Sequence, residues 1–548
     1  MLLIVGYSFG SKYLKRGIRH WWLSLALALP LLAAARDASE FRLGVGDAFA
    51  NDPAVEIQKR LDLYKQAGIG IIRVDVEWRS VERADGAWQD PGNLALLELA
   101  KQNGFRLKAN VGSLQGPPAW FLNRFPDARM TNQDGVTSPD DISYWYPGLH
   151  ALLESKDDHL FAYLAGKGLL ADMSYLVVPF GPGGEPLYPT QFSPMRFWFY
   201  DMHAQADFPL QMRAKYGAIQ NANAAWGTHY RTWPEVRIPQ PEMQPGAMWS
   251  DVLQWYRDAK RHFILWQLRH YQALVKKYYP SGLAPRLLIL VPGNHVTPLS
   301  LERAARSGDG DNGQMMMADS EYLLELAHQF GTYAQYTGSP NPAEVEYLES
   351  YLRLHHLEVP LWGENAGNQG EPLQLDQEVF ANGLFGQEYI GSNLFLSDHT
   401  TPSQQFLSLE RAHAWLTGMW AGKNAGSLAF DTLLLVQGAC VYADVARRVS
   451  LCMRSDANLV LSKDGLPAWT SNTMPLQDGE CTATEDPEYQ CNAVFQGDGN
   501  LVISRGRRPL WGSGTEQRGR HLIFIDRPPY LEIRDAADAI IWTASSLH

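Results

Sequence analysis

The regular alternation of short apolar runs with longer helical patterns restricts the fold of this chain more than any other feature of its sequence. Apolar runs bounded by glycine, proline and small polar residues are typical of buried strands. We predict eight such strands, at residues 41–45, 68–76, 105–111, 174–180, 286–291, 331–336, 358–362 and 392–396. Helical patterns lie between them, for example at residues 55–67, 92–103, 255–279, 320–329, 341–354 and 405–418. This alternation predicts an α/β fold in which eight parallel strands close into a (β/α)8 barrel of the TIM type.

The length of the chain predicts more than one domain. It has 548 residues, more than one hydrophobic core usually holds. Small and polar residues at 421–427 mark the expected end of the barrel, so we assign residues 39–425 to it. From residue 430 onward, short strand-like runs recur with turn signals, and residues 430–548 are predicted to form an all-β domain.

The N-terminal segment, residues 1–38, has the pattern of a signal peptide or an N-terminal anchor. Lys12, Lys15, Arg16 and Arg19 precede an apolar run at residues 21–35, and the run ends in small residues. The run is short for a membrane span. We therefore expect export, with the protein secreted, periplasmic or at the cell surface. No stable membrane partner is expected once the signal is cleaved.

Charge and cysteine usage narrow the class of function. The net charge is −12, and no long basic run follows the N-terminus, which argues against nucleic acid as a partner. No cysteine or histidine spacing typical of a metal site occurs, and we predict no cofactor and no metal. Four cysteines crowd into the last fifth of the chain and predict a disulfide-stapled domain in an oxidising space; they are Cys440, Cys452, Cys481 and Cys491. Their three possible pairings stay open.

Two acidic stretches carry the candidate chemistry. Residues 177–189 read VVPFGPGGEPLYP and hold Glu185, and residues 360–370 read PLWGENAGNQG and hold Glu364. Each acid follows an apolar run and a glycine, so both are expected on the C-terminal rim of the barrel, where such barrels keep their active sites. The alternative for the first stretch is a turn with a solvated glutamate. Two carboxylates facing each other across the barrel mouth would cleave a glycosidic bond by acid/base catalysis.

These stretches resemble the β-amylases, glycoside hydrolase family fourteen. GPGGEPLYP is similar to the family's Gly-Pro-Ala-Gly-Glu-Leu-Arg-Tyr-Pro, and WGENA to its Gly-Glu-Asn-Ala. The resemblance implies that Glu185 is the general acid, that Glu364 is the general base, and that the reaction inverts the anomeric centre. RVDVEW at residues 73–78 is similar to the family's Val-Asp-Val-Trp-Trp, which makes Asp75 a substrate-binding residue. Tyr188 is aligned in the first motif, and Thr337 lies near the position of a threonine that orients the attacking water.

Other stretches resemble family forty-two, the microbial β-galactosidases. The glycine-rich loop that β-amylases carry after the third strand is absent, and residues 112–120, GSLQGPPAW, are similar to the β-galactosidases instead. Residues 215–239 share that similarity. That family has Asn-Glu at the fourth strand, where this chain has Gly184 and Glu185. The alternative enzyme is therefore a retaining β-galactosidase-like hydrolase with Glu364 as nucleophile.

Further residues are candidate contacts of a sugar substrate. Asn294 and His295 follow the fifth predicted strand, and Asn365 follows the predicted base. Trp362 would stack on a sugar ring, with a core position as the equal alternative. The insertion at residues 191–250, rich in aromatic residues and proline, is expected to form a wall of the substrate site.

The C-terminal segment contains an internal repeat. Residues 454–469 read RSDANLVLSKDGLPAW and residues 496–511 read QGDGNLVISRGRRPLW, and a third copy ends at Trp542. A repeat of this kind predicts a three-part β domain with the tryptophans near its axis. The repeats resemble the bulb-type mannose-binding lectin motif, Gln-x-Asp-x-Asn-x-Val-x-Tyr, which implies a mannose-like glycan as partner. The implied sugar-binding residues are Gln496, Asp498, Asn500, Asp456 and Asn458.

The leading hypothesis is an exported glycoside hydrolase that acts on a poly- or oligosaccharide and carries a lectin-like module. The rival from another class is a non-catalytic carbohydrate-binding or adhesion protein. A lectin-shaped spacer without sugar affinity is the alternative for the C-terminal domain alone.

Overall fold

The computed structural model describes residues 42–90, 92–111, 116–189, 196–241, 246–279, 284–292, 317, 319–337, 342–366, 386–403, 405–406, 409, 427–430, 433–436, 440–443, 448–454, 456–473 and 491–544. The predicted N-terminal segment 1–38 and most of the helix predicted at 405–418 lie outside these residues.

Eight parallel strands form a closed barrel in which sequence neighbours pair and the last strand pairs with the first. The strands are β1 Arg42–Gly46, β2 Ile71–Val76, β3 Arg106–Val111, β4 Met173–Val177, β5 Arg286–Val291, β6 Tyr333–Tyr336, β7 Leu361–Ala366 and β8 Gly386–Ile390. The prediction of a (β/α)8 barrel is confirmed by the closed sheet of eight parallel strands, and described helices lie between successive strands from β1 to β7.

The described helices are α1 Ala54–Gln66, α2 Trp78–Val81, α3 Leu94–Gln102, α4 Ala119–Arg124, α5 Leu149–Gly166, α6 Met202–Tyr216, α7 Ile219–Trp226, α8 Ala247–Tyr278, α9 Ser320–Phe330 and α10 Pro342–Leu354. In α9, Leu323, Leu324 and Ala327 recur at helical spacing and are buried against the barrel. The helix ends at Gly331, whose left-handed conformation suits glycine. Short hairpins pair Glu82–Ala84 with Ala87–Trp88 and Arg129–Thr131 with Thr137–Ile142.

Two of the predicted strands are displaced in the structure. The eighth strand was expected at residues 392–396, but the strand is Gly386–Ile390, and residues 391–393 form a 3-10 turn. Gln387 and Glu388 are buried inside the barrel, and these polar residues hide the strand from an apolar pattern. The seventh strand extends to Ala366, so Glu364 lies within it rather than beyond its end.

The barrel interior combines apolar clusters with buried polar groups. Ile71, Tyr175 and Trp362 pack together inside it. Four other buried polar side chains come from three different strands: Lys108, Gln335, Gln387 and Glu388. Buried polar and charged groups need partners, and the barrel brings these groups within reach of one another.

The insertion after β4 forms a second apolar cluster. Its described part contains α6 and α7, and it packs with the first turns of α8 around Phe197, Trp198 and Trp249, which are fully buried. Much of the aromatic content of this segment therefore serves packing. Packing thus explains the aromatic content of residues 191–250, which the sequence predicted as a wall of the substrate site.

The C-terminal strands form three four-stranded antiparallel sheets. The strands are β9 Ser427–Phe430, β10 Leu433–Val436, β11 Cys440–Tyr442, β12 Val449–Met453, β13 Leu459–Lys463, β14 Leu466–Thr470, β15 Cys491–Phe495, β16 Leu501–Arg505, β17 Arg508–Gly512, β18 His521–Ile525, β19 Leu531–Arg534 and β20 Ile540–Thr543. Each sheet joins three consecutive strands to one of β9, β10 and β11. The repeated unit in the sequence thus corresponds to one sheet.

The three repeat tryptophans meet in the structure. The ring centroids of Trp469, Trp511 and Trp542 lie 5.7–6.1 Å from one another, in edge-to-face contacts. Such contacts stabilise beyond the area they bury. Cys440 and Cys452 form a disulfide between β11 and β12, and Cys491 is also disulfide-bonded. The structure thus selects one pairing that the sequence left open.

None of the helices in the described ranges is long and apolar enough to cross a membrane.

Gly363 on β7 tests the packing of the barrel interior. A methyl group there would overlap the Oε1 atom of Gln387 on the adjacent strand. We expect Gly363→Ala to lower the free energy of unfolding by about 1–3 kcal/mol, the usual result of overpacking. Urea denaturation measures this. Gly70→Ala is the control, because nothing lies within 4 Å of its added methyl group, and a change within about 0.5 kcal/mol is expected. Equal stability of both variants would contradict the prediction.

Candidate active site

Glu185 lies on a loop that follows β4, defined here as the acid loop, residues 178–189. The loop turns through Pro182–Gly184, where Gly184 has a φ of 90°. A side chain at Gly184 would also press on Asn110 Nδ2, 3.0 Å from the added carbon. Glycine is therefore needed at this position both for its backbone conformation and for space.

Glu185 is largely shielded from water. The hydroxyl of Thr337, just beyond β6, donates a hydrogen bond to its Oε1 atom. Burial raises the pKa of Glu185 to about 6, although the Thr337 bond acts to lower it. Repulsion from Glu364 adds to the rise, while Arg73 and Lys260 oppose it. The group therefore exchanges its proton close to neutral pH, as a general acid requires.

Glu364 is 9% exposed and ion-paired. Arg73 Nη1 lies 2.5 Å from its Oε1 atom, and its buried Oε2 atom has no hydrogen-bond partner among the described residues. Burial raises the pKa of Glu364, and the charges of Lys108 and Arg73 act in the opposite direction. One oxygen is thus fixed by a cation, and the other is left for a ligand or water.

A network of buried charges lies beside Glu364. Lys108 Nζ, 1% exposed, lies 2.8 Å from Glu388 Oε2 and donates to Gln335 Oε1. Arg73 Nη1 lies 3.4 Å from Glu388 Oε1, so it bridges the two glutamates. Burial opposes ionisation of Glu388, but Lys108 and Arg73 together lower its pKa below the ordinary value.

A cleft of about 600 Å³ opens at this end of the barrel. Its lining includes Arg73, Asp75, Glu364 and Glu388 but not Glu185. Its volume is in the range of small-molecule sites. Glu185 approaches Glu364 from the acid loop, near enough for their charges to interact. Within the described ranges, no group of three or more His, Cys, Asp and Glu side chains could hold a metal ion.

The structure brings together four of the predicted site residues: Glu185, Thr337, Glu364 and Asp75. The Asp75 side chain is 46% exposed in the cleft, and its Oδ1 atom lies 3.3 Å from Arg73 Nε. A half-exposed carboxylate in the cleft is placed to accept hydrogen bonds from a polar ligand.

Two predicted substrate contacts are packed away from the cleft. Tyr188 is fully buried, and its hydroxyl donates to the carbonyl of Tyr256 on α8. Trp362 is buried inside the barrel, where its ring packs against Tyr175 at 5.1 Å. Both therefore support the site instead of lining it, which favours the core alternative for Trp362. Asn294 and His295 lie outside the described residues, as does the side chain of Asn365.

The implied lectin residues lie at the turns that precede β13 and β16. The Oδ1 atoms of Asp456 and Asp498 each accept a hydrogen bond from the backbone amide two residues on. Asn500 Oδ1 accepts from Ser513 Oγ, and Asn458 is half-buried. Gln496 is exposed. The aspartates and Asn500 are thus partly used in holding the turns.

Sequence reasoning missed the cations and the third glutamate of the site. Arg73 and Lys108 each interrupt a predicted apolar strand at a position that the closed barrel turns inward, whereas Glu388 lies in a strand that the apolar pattern did not predict. A charged residue inside a predicted buried strand was the available signal, since such residues are rarely buried unless paired.

Comparison with known proteins gives partial matches. No protein-family model matches the chain. A β-amylase of Niallia circulans is 25% identical over 231 residues, covering 36% of this chain and 40% of that protein. A β/α-amylase of Paenibacillus polymyxa is 24% identical over 275 residues, covering 43% of this chain and 23% of that protein. The chain thus spans less than half the length of these relatives.

Solved structures show the likeness in fold. The catalytic domain of the β-amylase from Paenibacillus polymyxa superposes with a TM-score of 0.55 at 20% identity, over 68% of this chain and 97% of that domain. A catalytic mutant of a family forty-two β-galactosidase from G. stearothermophilus gives a TM-score of 0.51 at 14% identity, over 70% of this chain and 57% of that protein. The relatives and the structural neighbours of this barrel are glycoside hydrolases.

Lys108 tests the buried charge network. We expect Lys108→Met to lower the free energy of unfolding by about 3–5 kcal/mol at neutral pH, because the buried Glu388 would lose the nearer of its two cations. Lys108 stabilises only ionised Glu388. The deficit should therefore be full above the pKa of an unfolded glutamate and narrow as pH falls through the lower pKa of the folded group. Urea denaturation across pH measures both effects.

Lys101→Met is the control for Lys108. Lys101 pairs with Asp172 at the surface, where such a pair contributes about 1 kcal/mol or less. Wild-type stability of Lys108→Met at neutral pH would contradict the prediction and show that Arg73 alone compensates Glu388.

Proposed function

We propose that this protein is a glycoside hydrolase in which Glu185 is the general acid and Glu364 is the general base. The observation that supports this proposal is a pair of shielded carboxylates, one on the acid loop and one on β7, whose charges interact at one end of the barrel. The two carboxylates have different partners. Glu185 has a hydroxyl partner and a pKa of about 6. Glu364 has a guanidinium partner. Such a difference between two neighbouring acids is how glycosidases assign proton donor and base.

The environment of Glu185 suits proton donation to a leaving oxygen. Desolvation is the main cause of its raised pKa, so a substrate that excludes more water would strengthen the effect. Thr337 fixes one carboxylate oxygen, which leaves the other to carry the proton. The β-amylase relatives and the match of the acid loop to their signature support the same role.

Glu364 would activate a water molecule in the inverting reaction. Its Oε2 atom, without a partner in the described part of the chain, is free to accept the proton of that water. The retaining alternative uses the same glutamate as nucleophile. The direct ion pair with Arg73 supports that alternative, because a bound guanidinium favours the ionised carboxylate against the burial that raises the pKa of Glu364.

The substrate class that we propose is a poly- or oligosaccharide, with a starch-type glucan first, because the sequence relatives are β-amylases. Asp75 and the polar cleft beside Glu364 would bind sugar hydroxyls. We also propose that the protein is exported, on the pattern of residues 1–38.

The two glutamates give the direct test of this function. Glu185→Gln and Glu364→Gln should each lower kcat by about 10²-fold or more on a glycan panel, because each removes one proton-transfer group.

The pH dependence of the wild-type activity is a second test. Wild-type activity should fall as pH rises through about 6, because Glu185 must be protonated to act. Initial-rate kinetics over pH measure this, and NMR of the fresh anomer separates inversion from retention.

Glu98→Gln on α3 is the control for the glutamate variants and should keep full activity, since it lies away from the cleft lining. A wild-type chain inactive on the whole panel would instead support the non-catalytic carbohydrate-binding protein. Wild-type rates in both glutamine variants would place the chemistry elsewhere.

We further propose that the C-terminal sheets bind a mannose-like glycan and hold the barrel near its substrate. The recurrence of an exposed Gln or Arg and an Asp beside each of two sheets supports a multivalent surface, whose weak sites would act together. The match of the repeats to the bulb-lectin motif supports the choice of sugar.

Gln496 and Asp498 test this surface. In affinity electrophoresis through mannan, the full chain carrying Gln496→Ala and Asp498→Asn should be retarded less than wild type. The affinity for mannan should fall by up to about tenfold for each hydrogen bond that is lost. Arg507→Ala, exposed in the hairpin between β16 and β17, is the control. Equal mobility of the wild-type chain with and without mannan would identify the domain as a spacer.

A further inference from the structure

The long helix α8 holds the acid loop at both of its ends. Gln267 Nε2 donates to the carbonyl of Pro179 at 3.2 Å, near the start of the loop. Lys260 Nζ donates to the carbonyl of Pro186 at 3.1 Å, directly after the acid. These two residues lie seven positions apart, which is two helical turns, so they project from one face of α8. One rigid helix therefore sets the position of both ends of the segment that carries Glu185.

Aromatic contacts complete the attachment around Lys260. Its ammonium lies 3.8 Å from the centre of the Tyr188 ring and 5.6 Å from that of Tyr144. Tyr188 stacks on Tyr256 of α8, and Tyr144 donates to the carbonyl of Phe180 at 2.9 Å. Both rings that face the ammonium are thus bound to the acid loop or belong to it.

Two carboxylates act on the buried charge of Lys260. The side chain is 2% exposed, and the carboxylates that act on it are Asp141, before α5, and Glu185. Burial lowers the pKa of Lys260 well below its ordinary value, and these two acids oppose that change. Asp141 also accepts from Ser138 Oγ at 2.6 Å. Lys260 in turn lowers the pKa of Glu185, so the two groups influence each other's protonation.

Holding a carbonyl does not by itself require a lysine. Gln267 performs the same task at Pro179 with a neutral amide. An ammonium group is costly to bury, and a methionine of similar length would fill an aromatic pocket without that cost. The choice of lysine beside the acid indicates a role in the acid's chemistry.

We propose that Lys260 is a positioning residue for Glu185: through the Pro186 carbonyl it holds the acid at the leaving oxygen, and its ammonium group stabilises the ionised form of the acid. This inference rests on the proposed function, since it needs Glu185 to be the general acid. Lys260 itself does not touch the substrate.

The leaving group of the substrate separates positioning of the acid from general damage. A glycoside with a poor leaving group, such as an alkyl glycoside, needs the acid, whereas a dinitrophenyl glycoside departs without protonation. We expect Lys260→Met to lower kcat/KM about 10²-fold on the first and to leave it within about twofold on the second. A structural role alone would lower both equally, and that result, or no loss on either, would overturn the inference.

The pH dependence of kcat/KM tests the role of the positive charge of Lys260. Removing a positive charge near Glu185 raises the pKa of its carboxyl, so the alkaline limb of kcat/KM should move to higher pH in Lys260→Met. Gln267→Leu removes a neutral support from the same loop and should leave that limb in place. Lys277→Met, at the exposed end of α8, should match wild type throughout. An unmoved limb in Lys260→Met would overturn the proposal.

A second variant guards against loss of folding. Lys260→Gln keeps a donor for Pro186 without the charge, so it should regain part of the rate on the alkyl glycoside while its limb stays shifted. Circular dichroism melting checks that each variant folds. An inactive wild type, or a Glu185→Gln variant with full activity, would overturn the proposed function and this inference together. With an active wild type and an inactive Glu185→Gln variant, a failed Lys260 prediction would overturn the role of Lys260 alone.

Discussion

The pairing of buried charges inside the barrel is the interaction on which the candidate site depends. Arg73 and Lys108 neutralise Glu364 and Glu388, which lie on the last two strands of the barrel. Neither cation is close to these acids in the sequence. Only a closed sheet places the second and third strands within reach of the seventh and eighth. These ion pairs therefore form only when the barrel closes.

Closure of the barrel also packs its interior side chains closely around β7, the strand that carries Glu364. The backbone of β7 approaches Gln387 so tightly that Gly363 has no room for a side chain. Gln387 Nε2 donates to the carbonyl of Glu364, and Gln335 Nε2 donates to that of Gly363. Interior amides from both neighbouring strands therefore support the strand that carries Glu364, and its carboxylate is held on a rigid element.

The acid is held in a different way. Glu185 belongs to a loop, and loops position a side chain less rigidly than strands do. The acid loop gains its order from outside the barrel, through α8 and the aromatic cluster that begins in the insertion after β4. The abundance of tryptophan and tyrosine in that insertion has its physical reason here, because large buried rings brace a loop that has no strand pairing of its own.

How much the sequence predicted differs between the fold and the site. The alternation of strands and helices was readable because strands pack apolar residues against covering helices, and six of the eight strands lie where the pattern places them. The eighth was misplaced because its inward residues, Gln387 and Glu388, are polar. Glu185 and Glu364 were predicted as the candidate acid and base because glycine-rich turns and short motifs are local signals.

By itself, then, the sequence determined the barrel, the two acids and the threefold repeat, since all of these follow from local patterns of side chains. The tertiary structure alone decided the partners of each acid, the burial of Tyr188 and Trp362, and the support that α8 gives to the acid loop. Those features depend on contacts between residues distant in the chain. A side chain's protonation and exposure are set by such neighbours, which local sequence does not specify.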